Sequence, residues 1–169
     1  MMPIKITTPL TKEKILNLKA GDSVLISGTI YTARDAAHKR MCEEGKFPIN
    51  LENQIIYYAG PAPAREGQVI GSCGPTTSGR MDAYAPTLIK SGLTGMIGKG
   101  ERNENVVNAM KEYGAVYFGA IGGAGALISK CVKASEVIAY EDLGTEAIFK
   151  LTVEDFPAVV VIDSNGNHI

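Results

Sequence analysis

Residues 71–82, Gly-Ser-Cys-Gly-Pro-Thr-Thr-Ser-Gly-Arg-Met-Asp, form the stretch whose composition is best suited to chemistry. Its glycines leave the backbone free to turn, and Thr76, Thr77 and Ser78 offer hydroxyl groups that can cap a helix. A helix is predicted to begin near Ser78, which places Arg80 in its first turn, where free N–H groups and the helix dipole favour an anion. The stretch therefore predicts an anion-binding loop. An ordinary capped turn with a solvent-exposed arginine is the alternative interpretation.

Two further loops repeat this design, in which a strand ends, small residues follow and a cation appears. Arg34 lies in the first turn of a helix predicted over residues 33–44, with Thr32 as its N-cap, and Lys99 stands between two glycines after a predicted strand. Ligands of open α/β sheets collect at strand ends and helix starts. If the three loops share one edge, two guanidinium groups and one ammonium group converge there, which suits a dicarboxylate better than a nucleotide. Taken singly, Arg34 and Lys99 are also explained as solvated surface charges.

His38 and three cysteines are the other reactive side chains of interest. His38 follows Arg34 by one helical turn on the same predicted face, so it is a candidate proton carrier, with a structural hydrogen-bonding role as the alternative. The separations of Cys42, Cys73 and Cys131 match no compact metal-ligand motif and no disulfide framework. Inert thiols are therefore predicted for Cys42 and Cys131, while Cys73, in the first loop, is left open.

Length and charge limit the classes of protein that this chain can represent. With 169 residues, a formal charge of −1 and a pI near 6.1, it is predicted to form one domain over residues 1–169, without a basic field for nucleic acid or anionic membranes. No apolar run approaches the roughly 20 residues of a membrane span, and the first residues lack a signal-peptide pattern. A cytoplasmic location is the resulting expectation.

Helices and strands alternate through the middle of the chain, and strands dominate after it. This order predicts an α/β fold with three layers and a mixed sheet. A third glycine-rich loop, residues 122–126, lacks the glycine spacing of a dinucleotide site, and close packing explains it at least as well as ligand binding. Helices are predicted at 12–18, 33–44, 78–90 and 103–113, and strands at 1–8, 23–31, 55–59, 94–97, 115–120, 132–140, 147–151 and 157–163.

Three motifs give the chain a family resemblance. Residues 32–40, Thr-Ala-Arg-Asp-Ala-Ala-His-Lys-Arg, residues 74–82, Gly-Pro-Thr-Thr-Ser-Gly-Arg-Met-Asp, and residues 98–100, Gly-Lys-Gly, resemble the β subunit or C-terminal domain of class I iron–sulfur fumarate hydratases. L(+)-tartrate dehydratase β subunits share the pattern. Residues 156–158, Phe-Pro-Ala, are similar to the closing strand of the family, and the resemblance covers nearly the whole chain.

The resemblance implies half of an active site on a swivelling β/β/α domain. In this family an α subunit carries a four-iron four-sulfur cluster on its own cysteines, and the two parts interconvert (S)-malate and fumarate, a reaction of the tricarboxylic acid cycle. The implied assembly is a hetero-oligomer with the α subunit, with a homodimer of this chain alone as a further form. An L(+)-tartrate dehydratase β subunit and a non-catalytic dicarboxylate-binding module are the alternatives.

The resemblance also implies a role for each motif residue. Thr76 would lie beside the carbon that loses its proton and is the candidate general base. A threonine hydroxyl is a poor base unless its proton is drawn away, so Asp82, Asp35, His38 or a residue of the α subunit would have to accept that proton. The residues implied to bind the substrate carboxylates, and so to stabilise the charge that develops on deprotonation, are Arg34, Arg80 and Lys99.

Overall fold

A mixed sheet of seven strands organises the part of the chain that the computed structural model describes, residues 2–121 and 125–169. The helices are α1 Lys12–Leu16, α2 Asp35–Glu44, α3 Ala85–Lys90, α4 Glu104–Tyr113 and α5 Gly125–Ser129, with 3₁₀ helices at Ser78–Met81 and Glu141–Glu146. The strands are β1 Ile4–Thr7, β2 Ser23–Thr32, β3 Ile55–Tyr57, β4 Gly95–Gly98, β5 Val116–Ala120, β6 Val132–Ala139 and β7 Ile148–Ile162.

The first five strands are mutually parallel, and the last two are not. Strands β1 to β5 lie side by side in chain order, and β7 pairs antiparallel with β2, β5 and β6. Because β7 contacts both β2 and β5, the sheet curls back on itself. The carboxyl ends of β2, β3, β4 and β5 consequently meet at one edge of the sheet.

Strand β7 corrects the expectation of two separate strands at 147–151 and 157–163. It runs unbroken for 15 residues and passes through Pro157. Asp155 has a φ of 50°, and the register with β2 shifts between Ile26 and Gly28, which marks a bulge. The amide of Asp155 donates to the Ser27 hydroxyl at 3.0 Å, so the bulge leaves it paired while β7 bends. The residues at this bulge interrupt the apolar pattern in sequence, so two strands were predicted where one is present.

Two apolar cores confirm the α/β class with a mixed sheet. Alternate residues of the strands point to opposite faces, so Tyr57 belongs to one core while Ile56 and Tyr58 belong to the other. The first core consists mainly of strand residues, among them Phe156, and also takes in Ile15 of α1 and Ile128 of α5. The second is built from the outer face of the sheet and helices α2, α3 and α4 and includes Met110. The curled sheet supplies two layers of strands, and helices α2, α3 and α4 cover its outer face, which is the β/β/α arrangement.

Side-chain N-caps mark the starts of helices α1 and α4. The Thr11 side chain accepts a hydrogen bond from the Lys14 amide at 3.4 Å, and the Asn103 side chain accepts one from the Val106 amide at 3.0 Å. Helix α2 ends at Gly45, whose φ of 67° is left-handed. No helix within residues 2–121 and 125–169 has the length and apolar character needed to cross a bilayer.

Two helix starts differ from the sequence prediction. Thr32 ends strand β2 instead of capping α2, and Arg34 takes the N-cap position. The helix predicted over residues 78–90 is two elements, a 3₁₀ helix and then α3, with Pro86 in the first turn of α3. A proline deep inside one continuous helix would lack an N–H donor and clash with a carbonyl one turn earlier, so the helix restarts just ahead of it.

Candidate active site

The three predicted loops leave the same edge of the sheet. Arg34 follows the end of β2, Lys99 follows the end of β4, and Tyr58 follows the end of β3. The Thr76 amide donates a hydrogen bond to the Tyr58 carbonyl at 2.7 Å, so the loop that carries Thr76 is fastened to the end of β3. Since β2, β3 and β4 are parallel, these contacts place the three loops at the carboxyl edge.

The loop of Thr76 continues alongside the loop of Lys99. Thr77 pairs with Lys99 in a parallel bridge, and the Ser78 amide donates to the Lys99 carbonyl at 2.9 Å. Strand β3 ends at Tyr57, and the pairing of Thr77 with Lys99 takes its place beside the end of β4. It requires glycine at position 98, because a Cβ there would collide with the Ser78 hydroxyl and lie 2.9 Å from the Tyr58 ring. The structure therefore brings the segments of Thr76, Arg80 and Lys99 together.

Arg34 lies beside this pair of loops, and among the described residues its positive charge is balanced only by carboxylates at a distance. Its Nε is 3.7 Å from an oxygen of Asp35 and 3.8 Å from an oxygen of Glu146, which is too far for hydrogen bonds. No described residue accepts a hydrogen bond from that buried Nε. Its side chain runs alongside Gly60, where a Cβ would lie 3.0 Å from Arg34 Cδ. Within residues 2–121 and 125–169, the charge of the guanidinium is therefore balanced only by these two carboxylates, at distances beyond hydrogen bonding.

Arg80 and Lys99 are both exposed to solvent, and Thr76 is half-buried. Within residues 2–121 and 125–169, neither cation forms a salt bridge. The edge that carries them is an open surface, and neither residue lines the cavity of about 470 Å³ beside residues 100–102 and α4 or the cavity of about 350 Å³ beside residues 61–70. Such a surface can contribute positive groups to a ligand but cannot enclose one by itself.

Sequence reasoning missed a buried arginine directly beneath this surface. The Arg102 side chain is 0% exposed, and its Nε donates to an Asp82 oxygen at 2.7 Å while its Nη2 donates to the Tyr58 hydroxyl at 3.1 Å. The guanidinium also lies 4.9 Å from the centre of the Tyr117 ring. Burial acts to lower the pKa of Arg102, but Tyr58 and Asp82 outweigh burial and hold that pKa above its usual value. Asp82 also accepts from the Asn103 amide at 2.8 Å, which ties the 3₁₀ helix to the start of α4.

His38 is placed below the surface and not at it. Its side chain is 0% exposed, and its Nδ1 lies 2.8 Å from the Arg34 carbonyl, which can only accept, so the proton is on Nδ1. Its Nε2 has no hydrogen-bond partner among the described residues. Burial lowers the pKa of His38 to about 4, so the ring is neutral near pH 7. This geometry suits a group that holds Arg34, and gives the predicted proton carrier no direct route to a ligand.

The other side chains predicted to accept a proton from Thr76 are bonded to other residues or lie beside Arg34. Asp82 is held by Arg102 and Asn103, and Asp35 lies beside Arg34. No hydrogen bond joins the Thr76 hydroxyl to any of these groups in the described part of the chain. The role of Thr76 as a base stays a prediction.

The affiliation of the chain follows from comparison with known proteins. The model of the family described as the fumarase C-terminus matches residues 1–169. The chain belongs to the fumarase C-terminal family.

Relatives of this fumarase-family chain fall into two kinds. It is 40% identical to Fumarate hydratase 2 of Leishmania major over 92% of this chain and 28% of that protein. It is 44% identical to the aerobic class I fumarate hydratase of Escherichia coli over 84% of this chain and 27% of that protein. It is 39% identical to the "Putative L(+)-tartrate dehydratase subunit beta" of Methanocaldococcus jannaschii over 95% of this chain and 87% of that protein. The chain therefore spans about a third or less of the fumarate hydratases and most of the tartrate dehydratase subunit.

The cysteines of this fumarase-family chain do not fit an iron–sulfur cluster. Burial raises the pKa of the Cys73 thiol to about 12, and burial also raises the pKa values of the half-buried Cys42 and Cys131. In residues 2–121 and 125–169, no three His, Cys, Asp or Glu side chains come together as a metal site. Inert thiols fit the described geometry, including that of Cys73.

The third glycine-rich loop lies partly outside the described residues, since residues 122–124 are not among them. At Gly125, a Cβ would lie 2.6 Å from the Gly74 amide nitrogen, and the Gly125 carbonyl accepts from the Cys73 amide at 3.2 Å. Close packing against the loop that carries Thr76 therefore explains this glycine.

Proposed function

We propose that this chain is the β part of a fumarate hydratase-type hydro-lyase, which interconverts (S)-malate and fumarate in an active site completed by an α subunit. The observation that carries the proposal is the common edge of the three cationic loops, in which Thr77 pairs with Lys99 and Thr76 is fastened to Tyr58. Membership of the fumarase C-terminal family supports the same reaction class. The open surface around Arg80 and Lys99 is in keeping with a site that a partner closes.

The residues of this chain supply charge and position in the proposed reaction. Dehydration of malate breaks the C3–H bond and the C2–O bond, and the proton and hydroxide leave as water. Arg34, Arg80 and Lys99 bind the two carboxylates, and their positive charges stabilise the negative charge that builds up as C3 loses its proton. Thr76 holds the position from which that proton is taken. The four-iron four-sulfur cluster of the proposal belongs to the α subunit, and none of these steps depends on residues of this chain binding it.

The state of the three cations supports this assignment. Exposed Arg80 and Lys99 have no salt-bridge partner among the described residues, and the Arg34 contacts are longer than hydrogen bonds. A dicarboxylate would be the first strong partner for each of them. A hydrogen bond to a charged group contributes about 1.5–3 kcal/mol, which corresponds to roughly ten- to a hundredfold in rate when it acts at the transition state.

The test is co-expression with an α subunit under anaerobic conditions, followed by assay of malate–fumarate interconversion. Arg80→Ala and Lys99→Ala should each reduce kcat/KM by at least about tenfold, because each removes one carboxylate contact. Lys90→Ala is the matched control, since Lys90 is an exposed cation at the end of α3, outside the three loops. Near-normal kinetics in both site variants would contradict the proposal.

Thr76→Ala provides a separate test of the general base in the same reconstituted enzyme. Loss of the hydroxyl should lower kcat more than it raises KM, because the substrate carboxylates keep their cations while proton removal is impaired. An unchanged kcat would remove Thr76 from the mechanism and leave the carboxylate-binding role of the cations intact.

A tartrate dehydratase β subunit is the second candidate. The chain covers 87% of the length of its tartrate dehydratase relative, which is a separate subunit, and only 28% of the first fumarate hydratase. Assay of the reconstituted complex on (S)-malate, L(+)-tartrate and a methylated diacid distinguishes the two, since the preferred substrate has the higher kcat/KM. Micromolar binding of a diacid to the isolated chain would instead favour a stand-alone binding module, because half of a site should bind weakly.

A further inference from the structure

We propose that Tyr117 is a positioning residue whose hydroxyl fixes the loop of Thr76 and Arg80 against the loop of Lys99. The structural part of this inference depends only on the described contacts, while its consequence for catalysis rests on the proposed function. Tyr117 lies on β5, the strand next to β4, and its side chain is 0% exposed.

A one-way chain of hydrogen bonds passes through the Tyr117 hydroxyl. The hydroxyl is 2.8 Å from the Gly100 carbonyl, which can only accept, so the phenolic hydrogen points to Gly100. The Ser78 hydroxyl is 2.7 Å from the same phenolic oxygen, and it must therefore be the donor. Ser78 thus donates to Tyr117 and Tyr117 donates to Gly100, which joins the two loops through a residue of the sheet.

The direct contacts between the two loops do not themselves attach the loops to strand β5. The bridge between Thr77 and Lys99 and the bond from the Ser78 amide to the Lys99 carbonyl set the pairing of the two segments. Both contacts involve loop backbone alone, and the bond from the Thr76 amide to the Tyr58 carbonyl ties the pair to the end of β3 but not to β5. The Tyr117 hydroxyl contacts a buried side chain on one segment and a carbonyl on the other, and so fixes both relative to β5.

The Tyr117 ring itself is held in place from the other side. The Arg102 guanidinium lies 4.9 Å from the ring centre and donates to Asp82 at 2.7 Å. Ser78 and Asp82 flank Arg80 at the two ends of the 3₁₀ helix Ser78–Met81. Contacts that start from Tyr117 therefore reach both sides of Arg80, directly at Ser78 and through Arg102 at Asp82.

The first experiment measures the isolated chain and needs no activity. Tyr117→Phe removes only the hydroxyl, and amide hydrogen exchange followed by NMR should show protection of the Ser78 amide falling at least about tenfold more than the fall in global stability. Thr94→Val is the matched control, because it removes another buried hydroxyl donor, which bonds the Leu10 carbonyl at 2.7 Å. An equal loss of Ser78 protection in both variants would overturn the positioning role.

The second experiment uses the complex with an α subunit. Tyr117→Phe should lower kcat/KM by about tenfold or more, and its effect should be smaller in a Lys99→Ala background, because the part that acts through the position of the ammonium is then lost while the part that acts through Arg80 remains. Wild-type kcat/KM in Tyr117→Phe, or full additivity with Lys99→Ala, would overturn the consequence for catalysis. A wild-type complex without hydro-lyase activity would contradict the proposed function, and the exchange experiment would then decide the positioning role alone.

Discussion

Arg80 and Arg102 lie in two layers of the same edge and differ in almost every physical respect. Arg80 is exposed and makes no salt bridge with the described residues, whereas the Arg102 side chain is 0% exposed and bonds Asp82 and Tyr58. Both follow a glycine-containing loop at the end of a parallel strand. The contrast indicates that the buried arginine stabilises the loops and that the exposed one is available to a ligand.

The largest effect is expected from the buried member of the pair. Arg102→Met should reduce the free energy of unfolding by about 3–5 kcal/mol, because it leaves the Asp82 carboxylate without its cation at a side-chain exposure of 12%. Urea unfolding monitored by circular dichroism measures the change. The double variant Arg102→Met with Asp82→Asn should recover part of the loss, since no uncompensated charge is left. A single-variant loss below about 1 kcal/mol would mean that the pair behaves like a surface salt bridge.

His38 extends the comparison, because it is buried at the same edge but has no carboxylate hydrogen-bonded to its ring among the described residues. Arg102 keeps its charge through Asp82, whereas burial lowers the pKa of His38 to about 4 and keeps it neutral. Below the unfolded-state pKa near 6.5, the unfolded chain binds a proton that the folded chain does not, so stability falls as the pH drops from about 6.5 to about 4. The total loss from this group should be about 3 kcal/mol.

The pH effect is isolated by comparing the wild type with His38→Leu. As the pH falls from 7 to 4, the unfolding free energy of the wild type should decrease more than that of the variant. Only the wild type carries this histidine, while the carboxylates are common to both. Parallel pH profiles for the two proteins would contradict the buried, neutral state of His38.

The exposed Arg80 and Lys99 and the half-buried Arg34 were easier to predict from sequence than the residues that hold them. Arg34, Arg80 and Lys99 lie in loops after predicted strands, and the structure places these loops at the carboxyl edge of the sheet. Whether their charged groups meet on one substrate stays a prediction. Arg102 carried no comparable signal, because a glycine loop followed by an arginine looks the same in sequence whether the side chain is exposed or buried.

The errors in the fold have similarly local causes. Position 155 interrupts the apolar pattern that would otherwise join 147–151 to 157–163, and only pairing with β2 on one side and β5 and β6 on the other shows that β7 is continuous. Pro86 was placed inside a long helix although its ring forbids that position. The role of the Tyr117 hydroxyl depends on two loops distant in sequence, so no local pattern could indicate it.

The smallest effect is expected from the exposed cations themselves. Arg80→Met and Lys99→Met should each change the free energy of unfolding by no more than about 0.5 kcal/mol, because neither side chain is buried or paired within the described structure. The same urea titration used for Arg102→Met makes the comparison direct. If the site variants of the complex lose activity while these stability values stay near wild type, the loss reflects binding or chemistry and not unfolding. A destabilisation comparable to that of Arg102→Met would instead show that the two layers of the edge are one structural unit.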